Sequence, residues 1–133
     1  MSNRSRGASY EREVAKELEA ELGFPFQRDP DQVRTSGRAD LITNVDFPFV
    51  IECKRRKSGQ YNPAWMGQAQ TAAVKQRKLP AVIFRFDYLK SQVAIPTYAV
   101  GELFGWGKDY ADMSDVMFTS IPNFCALVRE RLR

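Results

Sequence analysis

Histidine is missing from the whole chain. This absence excludes Ser-His-Asp and Cys-His catalytic triads within one chain, and it excludes zinc sites and general bases that depend on histidine. Acid–base or metal chemistry must therefore use carboxylates, lysines, tyrosines or water. Oxygen ligands of this kind favour hard cations such as magnesium.

Cysteine and long apolar runs are also scarce. The two cysteines, Cys53 and Cys125, have no spacing typical of metal ligands, and we expect reduced thiols in a cytoplasmic protein. No apolar run approaches the ~20 residues of a membrane helix, so we expect no membrane association. The basic start of the chain has no apolar segment behind it, which argues against a secretory signal.

The length and the net charge of the chain bear on its domain count and on its possible partners. A chain of 133 residues suits one domain. Its 20 basic and 16 acidic residues give a net charge of +4, which permits a polyanionic partner without requiring one. We expect residues 1 to 8, which are small, polar and basic, to form a mobile arm, and residues 9 to 133 to form the single domain.

Hydrophobic periodicity and capping residues predict the order α-β-β-β-α-β-β-α. The predicted helices span residues 9–22, 62–78 and 120–133, and the predicted strands span 24–27, 39–43, 47–54, 81–87 and 92–99. Ser9 and Asn62 are the predicted N-caps of the first two helices, and Pro80 is the predicted stop of the second. Residues 101–113 are ambiguous, with one possible helical turn. This order indicates an α/β fold with a central mixed sheet flanked by helices.

The second and third predicted strands form a hairpin that carries an acidic residue on one side and Glu-Cys-Lys on the other. Because side chains alternate along a strand, Glu52 and Lys54 point the same way, while Cys53 points into the core. Hairpin pairing brings Asp40 near Glu52. An isolated Glu-x-Lys is usually a solvated surface pair, and Asp40 alone is equally compatible with a turn residue.

Glu11 lies in the middle of the apolar stripe of the first predicted helix. A carboxylate directed at the core needs a physical reason, and completing a metal site is one. The alternative is a charge that interacts favourably with the N-terminus of the helix. Two adjacent carboxylates repel each other unless a cation lies between them, so the group favours a divalent metal with Lys54 beside it.

Glu11, Asp40 and the Glu52-Cys53-Lys54 segment together resemble the pattern of PD-(D/E)XK nucleases. The nearest resemblance is to archaeal-type Holliday junction resolvases, which some phages also carry. It extends over roughly residues 4 to 87 and includes Gly-Ala-Ser-Tyr-Glu-Arg-Glu at 7–13, an Arg/Ser/Gly loop before the aspartate, Ile-Glu-Cys-Lys at 51–54 and a Pro-initiated apolar strand at 80–86. Ala39 stands where the family name has proline, and the segment after Tyr98 matches nothing in the pattern.

The resemblance implies a restriction-endonuclease-like nuclease domain and a set of site residues. Glu11, Asp40 and Glu52 would be the metal-linked carboxylates, with Lys54 as the catalytic lysine. Magnesium would be the cofactor, with manganese as a substitute, and the backbone carbonyl of Cys53 would be a further metal ligand. The family also implies a homodimer that nicks four-way DNA junctions symmetrically.

Basic residues surround this predicted site along the sequence. Runs of charge are usually solvated surface, but here they flank the carboxylates, which favours contacts with DNA phosphates. The predicted DNA-binding residues are Arg4, Arg6, Arg34, Ser36, Arg38, Arg55, Arg56 and Lys57. Tyr61 and Trp65 are candidates for stacking on bases, although Trp65 fits the core better because its helix is rich in small residues.

Three functions remain open on the sequence. The first is a metal-dependent endonuclease that resolves Holliday junctions. The second is a nuclease of the same fold with a repair or restriction-like DNA substrate. The third is a DNA-binding module without catalysis, and the presence of all four site residues counts against it.

Overall fold

The computed structural model describes residues 3 to 31, 38 to 105 and 115 to 132, with side chains from Arg6 onward. Within these ranges the elements are α1 (Asn3–Leu22), β1 (Phe26–Arg28), β2 (Leu41–Thr43), β3 (Phe49–Arg56), α2 (Pro63–Gln76), β4 (Leu79–Phe86), β5 (Gln92–Pro96), α3 (Thr97–Phe104), β6 (Val116–Ser120) and α4 (Ile121–Leu132). No helix in the described ranges is long and apolar enough to cross a membrane.

The strands form one six-stranded sheet in the order β1-β2-β3-β4-β5-β6. β3 and β4 are parallel, with Glu52 level with Val82, and the other neighbouring pairs are antiparallel. The parallel pair needs a crossover connection, which α2 supplies. The mixed sheet flanked by helices confirms the predicted fold class, and the antiparallel β2–β3 pair confirms the predicted hairpin.

Apolar side chains cover both faces of the sheet. On one face α1 and α4 pack against Phe49, Ile51 and Ile83. On the other face α2 packs Trp65, with its small neighbours, against Phe84. The side chain of Trp65 is therefore part of the core, as its helix of small residues predicted.

The first helix begins earlier than its predicted start at Ser9. α1 extends back to Asn3, so most of the segment predicted to be an arm is helical. The apolar stripe begins only at Tyr10, where the helix meets the sheet. Hydrophobic periodicity therefore predicts only the part of the helix that packs against the sheet. The mobility of this segment and the single-domain boundary at residue 9 stay predictions.

For the second helix, the predicted start is confirmed and the predicted stop is wrong. Asn62 caps α2 by accepting the amide N–H of Ala64 at 2.9 Å, with Pro63 at the first helical position, as predicted. Pro80 is not the stop. The helix ends at Gln76, its C-cap Arg77 adopts a left-handed conformation with φ 55°, and Pro80 lies within β4.

The C-terminal third differs most from the sequence prediction. The fifth strand ends at Pro96, and α3 follows directly where the strand was expected to continue to residue 99. The sequence does not predict β6, but the helix predicted at residues 120–133 is α4, and the Oγ of Ser120 accepts the N–H of Asn123 at 3.1 Å as an N-cap does. The ambiguous segment at 101–113 is helical up to Phe104, and residues 106–114 lie outside the described ranges.

Candidate active site

The β2–β3 hairpin fixes the position of Asp40. Its backbone N–H donates to the carbonyl of Ile51 at 3.0 Å, and its carboxylate Oδ2 accepts the backbone N–H of Cys53 at 2.7 Å. Leu41, the next residue, is paired with Ile51. The Asp40 side chain therefore continues the hydrogen-bond pattern between β2 and β3. Hydrogen bonds from both its backbone and its side chain hold Asp40 beside β3.

Glu52 and Lys54 project from the same face of β3 into this corner. The Lys54 Nζ lies 3.7 Å from Glu52 Oε1, and the two side chains are only 17% and 12% exposed. Ile51 points to the opposite face and lies in the core with α1, with Cys53 packed against the same cluster. The alternation predicted from the sequence is thus the observed one.

Asp40 and Glu52 form a coupled carboxyl pair. Burial, reinforced by repulsion from Asp40, raises the pKa of Glu52 to about 8. Burial likewise raises the pKa of Asp40 to about 6, although the N–H of Cys53 opposes the increase. A hydrogen bond joins the two side chains. Repulsion between the two carboxylates, strengthened by their partial burial, favours protonation of the pair in the absence of a cation.

Glu11 reaches the same place from α1. Glu11 is buried, with 9% of the residue exposed, as its position on the apolar stripe indicated. One carboxylate oxygen, Oε2, accepts a 2.6 Å hydrogen bond from the Nε of Arg28, at the end of β1. Arg28 offsets the charge of this buried carboxylate, a partnership that the sequence did not predict.

An open groove of about 410 Å³ contains all four predicted catalytic residues. Its lining consists of Arg6, Gly7, Glu11, Asp40, Glu52, Cys53, Lys54, Arg55, Arg56 and Lys57. The structure therefore brings Glu11, Asp40, Glu52 and Lys54 together. Four of the predicted DNA-binding residues also border the groove.

Two of these basic residues have fixed partners. Arg55 donates to the Asp87 carboxylate from Nε at 3.1 Å and from Nη2 at 2.8 Å. The guanidinium of Arg56 lies over the Trp65 ring, 5.5 Å from its centroid. Such contacts hold flexible side chains at the groove before any ligand arrives.

The other predicted DNA-binding residues do not line this groove or lie outside the described part of the chain. Arg38 instead pairs with the buried Asp29 at 2.6 Å. Arg34 and Ser36 lie in the undescribed segment at 32–37, and for Arg4 only the backbone is described. The sequence does not predict the partners Asp29 and Asp87, because neither pairing with its arginine has a periodic spacing that marks it.

The thiol of Cys53 is unsuited to nucleophilic chemistry. Burial raises its pKa well above the ordinary range, and the neighbouring carboxylates raise it further. A protonated thiol is a poor nucleophile and a poor metal ligand. The prediction that Cys53 serves through its backbone carbonyl is compatible with this environment and stays a prediction.

A mixed sheet flanked by helices, with two carboxylates and a lysine at one hairpin, defines a restriction-endonuclease-like protein. Residues 2–122 match the model of the family described as "Phage putative PDDEXK endonuclease", so the chain belongs to that nuclease family. No protein with a curated description matches the sequence.

The fold has a counterpart among solved structures. It is similar to Hjc of Archaeoglobus fulgidus, a Holliday junction resolvase from an archaeal hyperthermophile, with a TM-score of 0.51 and 21% identity. The match covers 66% of this chain and 70% of Hjc. The family match and this shared fold confirm the resemblance drawn from the sequence.

Proposed function

We propose that this chain is a metal-dependent DNA endonuclease that resolves four-way junctions by symmetric nicking. The observation that carries the proposal is the partly buried Asp40–Glu52 pair, which lies beside Lys54 in a groove edged by basic side chains. Such a pair is costly to bury without a cation, and the chain belongs to an endonuclease family.

The donor set fits magnesium. Within the described residues, no three acidic or thiol side chains form a ready set of metal ligands. Asp40 and Glu52 supply two carboxylates, and the Cys53 carbonyl is the proposed third protein ligand. Magnesium typically takes one or two carboxylates and fills its other positions with water and phosphate oxygens. We expect manganese to substitute.

The residues around the pair have separable roles. When bound, a divalent cation lowers the pKa of a coordinated water and offsets charge on a phosphoryl oxygen. The ammonium of Lys54 lies where it can orient the attacking water or stabilise negative charge that develops during cleavage. Glu11, held by Arg28, is a further candidate metal ligand at the side of the groove.

The basic residues bind the DNA backbone in this proposal. Arg6, Arg55, Arg56 and Lys57 border the groove that contains the carboxylates. Lysine and arginine contacts with phosphates supply most sequence-independent affinity for DNA. They also bring the scissile phosphate to a pair of carboxylates that would otherwise repel it.

A homodimer would supply the two active sites that symmetric nicking requires. β6 lies at one end of the described sheet, where Met117 is 44% exposed and Phe118 is 50% exposed. An exposed apolar edge strand is a ready pairing surface for a second copy of the chain. We expect Met117→Glu to shift the protein from dimer to monomer in sedimentation equilibrium, with Val74→Glu on α2 as the control.

One cleavage assay tests the proposed function. The protein is incubated with magnesium and, in parallel, a labelled four-way junction, the matched duplex and the matched single strand. Paired nicks across the junction, with little cleavage of the duplex, are the expected result. Equal cleavage of junction and duplex would restrict the function to a nuclease with another DNA substrate, and no cleavage of any substrate would contradict enzymatic activity.

A further inference from the structure

The turn between β4 and β5 presents an aromatic ring to solvent. Tyr88 is 100% exposed, and Leu89 is 55% exposed. Tyr88 also has φ 67°, a left-handed conformation that is unfavourable for a residue with a bulky side chain. The backbone is nevertheless held in place, because Arg85 Nε donates to the Leu89 carbonyl at 2.8 Å and the Leu89 N–H donates to the Phe86 carbonyl at 3.1 Å.

The same turn is fastened to the end of β3 beside the candidate active site. The N–H of Asp87 donates to the carbonyls of both Arg56 and Lys57 at 3.2 Å. The carboxylate of Asp87 accepts two hydrogen bonds from Arg55. Three residues that line the catalytic groove are thus bonded to the residue just before Tyr88.

A path over three surface depressions, each sharing two lining residues with the next, leads from the groove to this aromatic ring. The catalytic groove shares Arg6 and Arg55 with a second depression of about 420 Å³. That depression shares Glu13 and Arg85 with a third, of about 710 Å³, which Tyr88 lines. A bound strand that leaves the carboxylates along this path reaches Tyr88.

The charge along the path changes from basic to balanced. The catalytic end carries five basic residues against three carboxylates, namely Arg6, Lys54, Arg55, Arg56 and Lys57 against Glu11, Asp40 and Glu52. At the far end the charges of Glu13, Glu17, Arg85 and Lys90 cancel, and Arg85 is paired with Glu13 at 2.6 Å. Phosphates are therefore favoured at the catalytic end, while the far end suits the uncharged ring of a base.

We propose that Tyr88 stacks on a DNA base that has lost a stacking neighbour, as bases do at a branch point. This inference rests on the proposed function and assigns the recognition of branched DNA to the β4–β5 turn. An aromatic side chain on a fixed backbone loses little conformational freedom when a base stacks on it. Stacking of this kind typically accounts for roughly tenfold in affinity per base.

The test compares variants that separate stacking from backbone strain. Asparagine tolerates the left-handed conformation, so Tyr88→Asn should keep or raise the thermal midpoint while it removes the ring. Tyr88→Phe keeps the ring without the hydroxyl. Val74→Ala, at an exposed apolar position on α2, is the surface control. Each protein is titrated in calcium buffer at fixed salt into a labelled four-way junction and the matched duplex, and binding is read by fluorescence anisotropy.

We expect Tyr88→Asn to weaken junction binding about tenfold and to change duplex binding little, while Tyr88→Phe and Val74→Ala bind as the wild type does. Equal junction affinity for Tyr88→Asn and wild type overturns the inference and leaves the proposed function standing. An equal loss on junction and duplex also overturns it, because that pattern indicates a backbone contact. Wild-type protein that binds neither DNA contradicts the proposed function itself.

A second measurement does not depend on the stability of the variants. A junction carrying 2-aminopurine beside the branch point reports stacking through its fluorescence. Wild type and Tyr88→Phe should quench this fluorescence relative to Tyr88→Asn at saturating protein. The same emission from all three complexes overturns the inference.

Discussion

Replacing Glu52 by glutamine should make the metal-free protein more stable while it abolishes cleavage. In the folded state, burial and the neighbouring Asp40 raise the pKa of Glu52 from its usual 4.5 to about 8. Below pH 4.5 the folded and unfolded chains both hold the proton, and the site costs nothing. As the pH rises towards 8, the unfolded chain releases this proton readily and the folded chain does not, so stability falls.

The size of this effect follows from the shift. At about 1.4 kcal/mol per pH unit, a shift of this size sets an upper limit of roughly 4 to 5 kcal/mol at pH 8. Entry of water and small side-chain movements relieve part of the cost, and we expect a gain of ~1 to 3 kcal/mol for Glu52→Gln. The glutamine amide is neutral at every pH, and its N–H can donate to Asp40.

The assay is thermal unfolding in EDTA at several pH values. For a domain of this size, ~1 kcal/mol corresponds to roughly 3 to 5 °C in the midpoint. The midpoint of Glu52→Gln should exceed that of the wild type at pH 8, and the difference should vanish near pH 4.5. Added magnesium should raise the wild-type midpoint at pH 8 and leave the variant unchanged.

The matched control is Glu19→Gln, an exposed carboxylate on the same chain, which should unfold as the wild type does at both pH values. Glu13 is unsuitable for this purpose because it pairs with Arg85 at 2.6 Å. A midpoint gain that is absent at pH 8, or equal at both pH values, would refute the carboxyl-pair reasoning. Near-normal cleavage by Glu52→Gln would remove the metal-site assignment.

Three further predictions concern the remaining site residues and the cation. Lys54→Ala should slow cleavage by at least ~10²-fold in a single-turnover assay without loss of folding, since it removes a positioned charge; a near-normal rate in a folded variant would exclude the role. Glu11→Gln should lower the free energy of unfolding by about 1 kcal/mol, because the glutamine pairs more weakly with Arg28. The same variant should cleave more slowly if Glu11 completes the site, and full activity would confine the site to the hairpin. Asp40→Asn should lose cleavage but keep its DNA affinity, measured by fluorescence anisotropy. If Asp40→Asn loses binding, the carboxylates carry affinity that we assign to the basic residues. Calcium should support DNA binding by the wild type without cleavage.

The parts of the fold that could be predicted are those set by local patterns. Asn62 and Pro63 mark a helix start because capping depends on adjacent residues alone. The positions of Asp40, Glu52 and Lys54 follow from strand alternation and one short hairpin. Glu11 could be placed because a carboxylate on an apolar stripe contradicts the helix pattern around it.

The missed parts depend on contacts between distant segments. β6 has no clear alternation, since Met117 and Phe118 are both exposed at the end of the sheet, and pairing with β5 is what defines it. The bond between Glu11 and Arg28 crosses from a helix to a strand end. Such pairs leave no spacing in the sequence that could be recognised, because their geometry is set only after the sheet has formed.

The local origin of the carboxyl pair also bears on how the chain folds. Asp40 and Cys53 are bonded across a single hairpin, so only a short loop must close before the central part of the site exists. Short loops cost little chain entropy and close rapidly, whereas the docking of α1 and the pairing of β6 join segments far apart in the chain. The Asp40–Glu52 centre is therefore held together by local contacts with a low cost of loop closure, whereas the groove around it depends on contacts between distant segments.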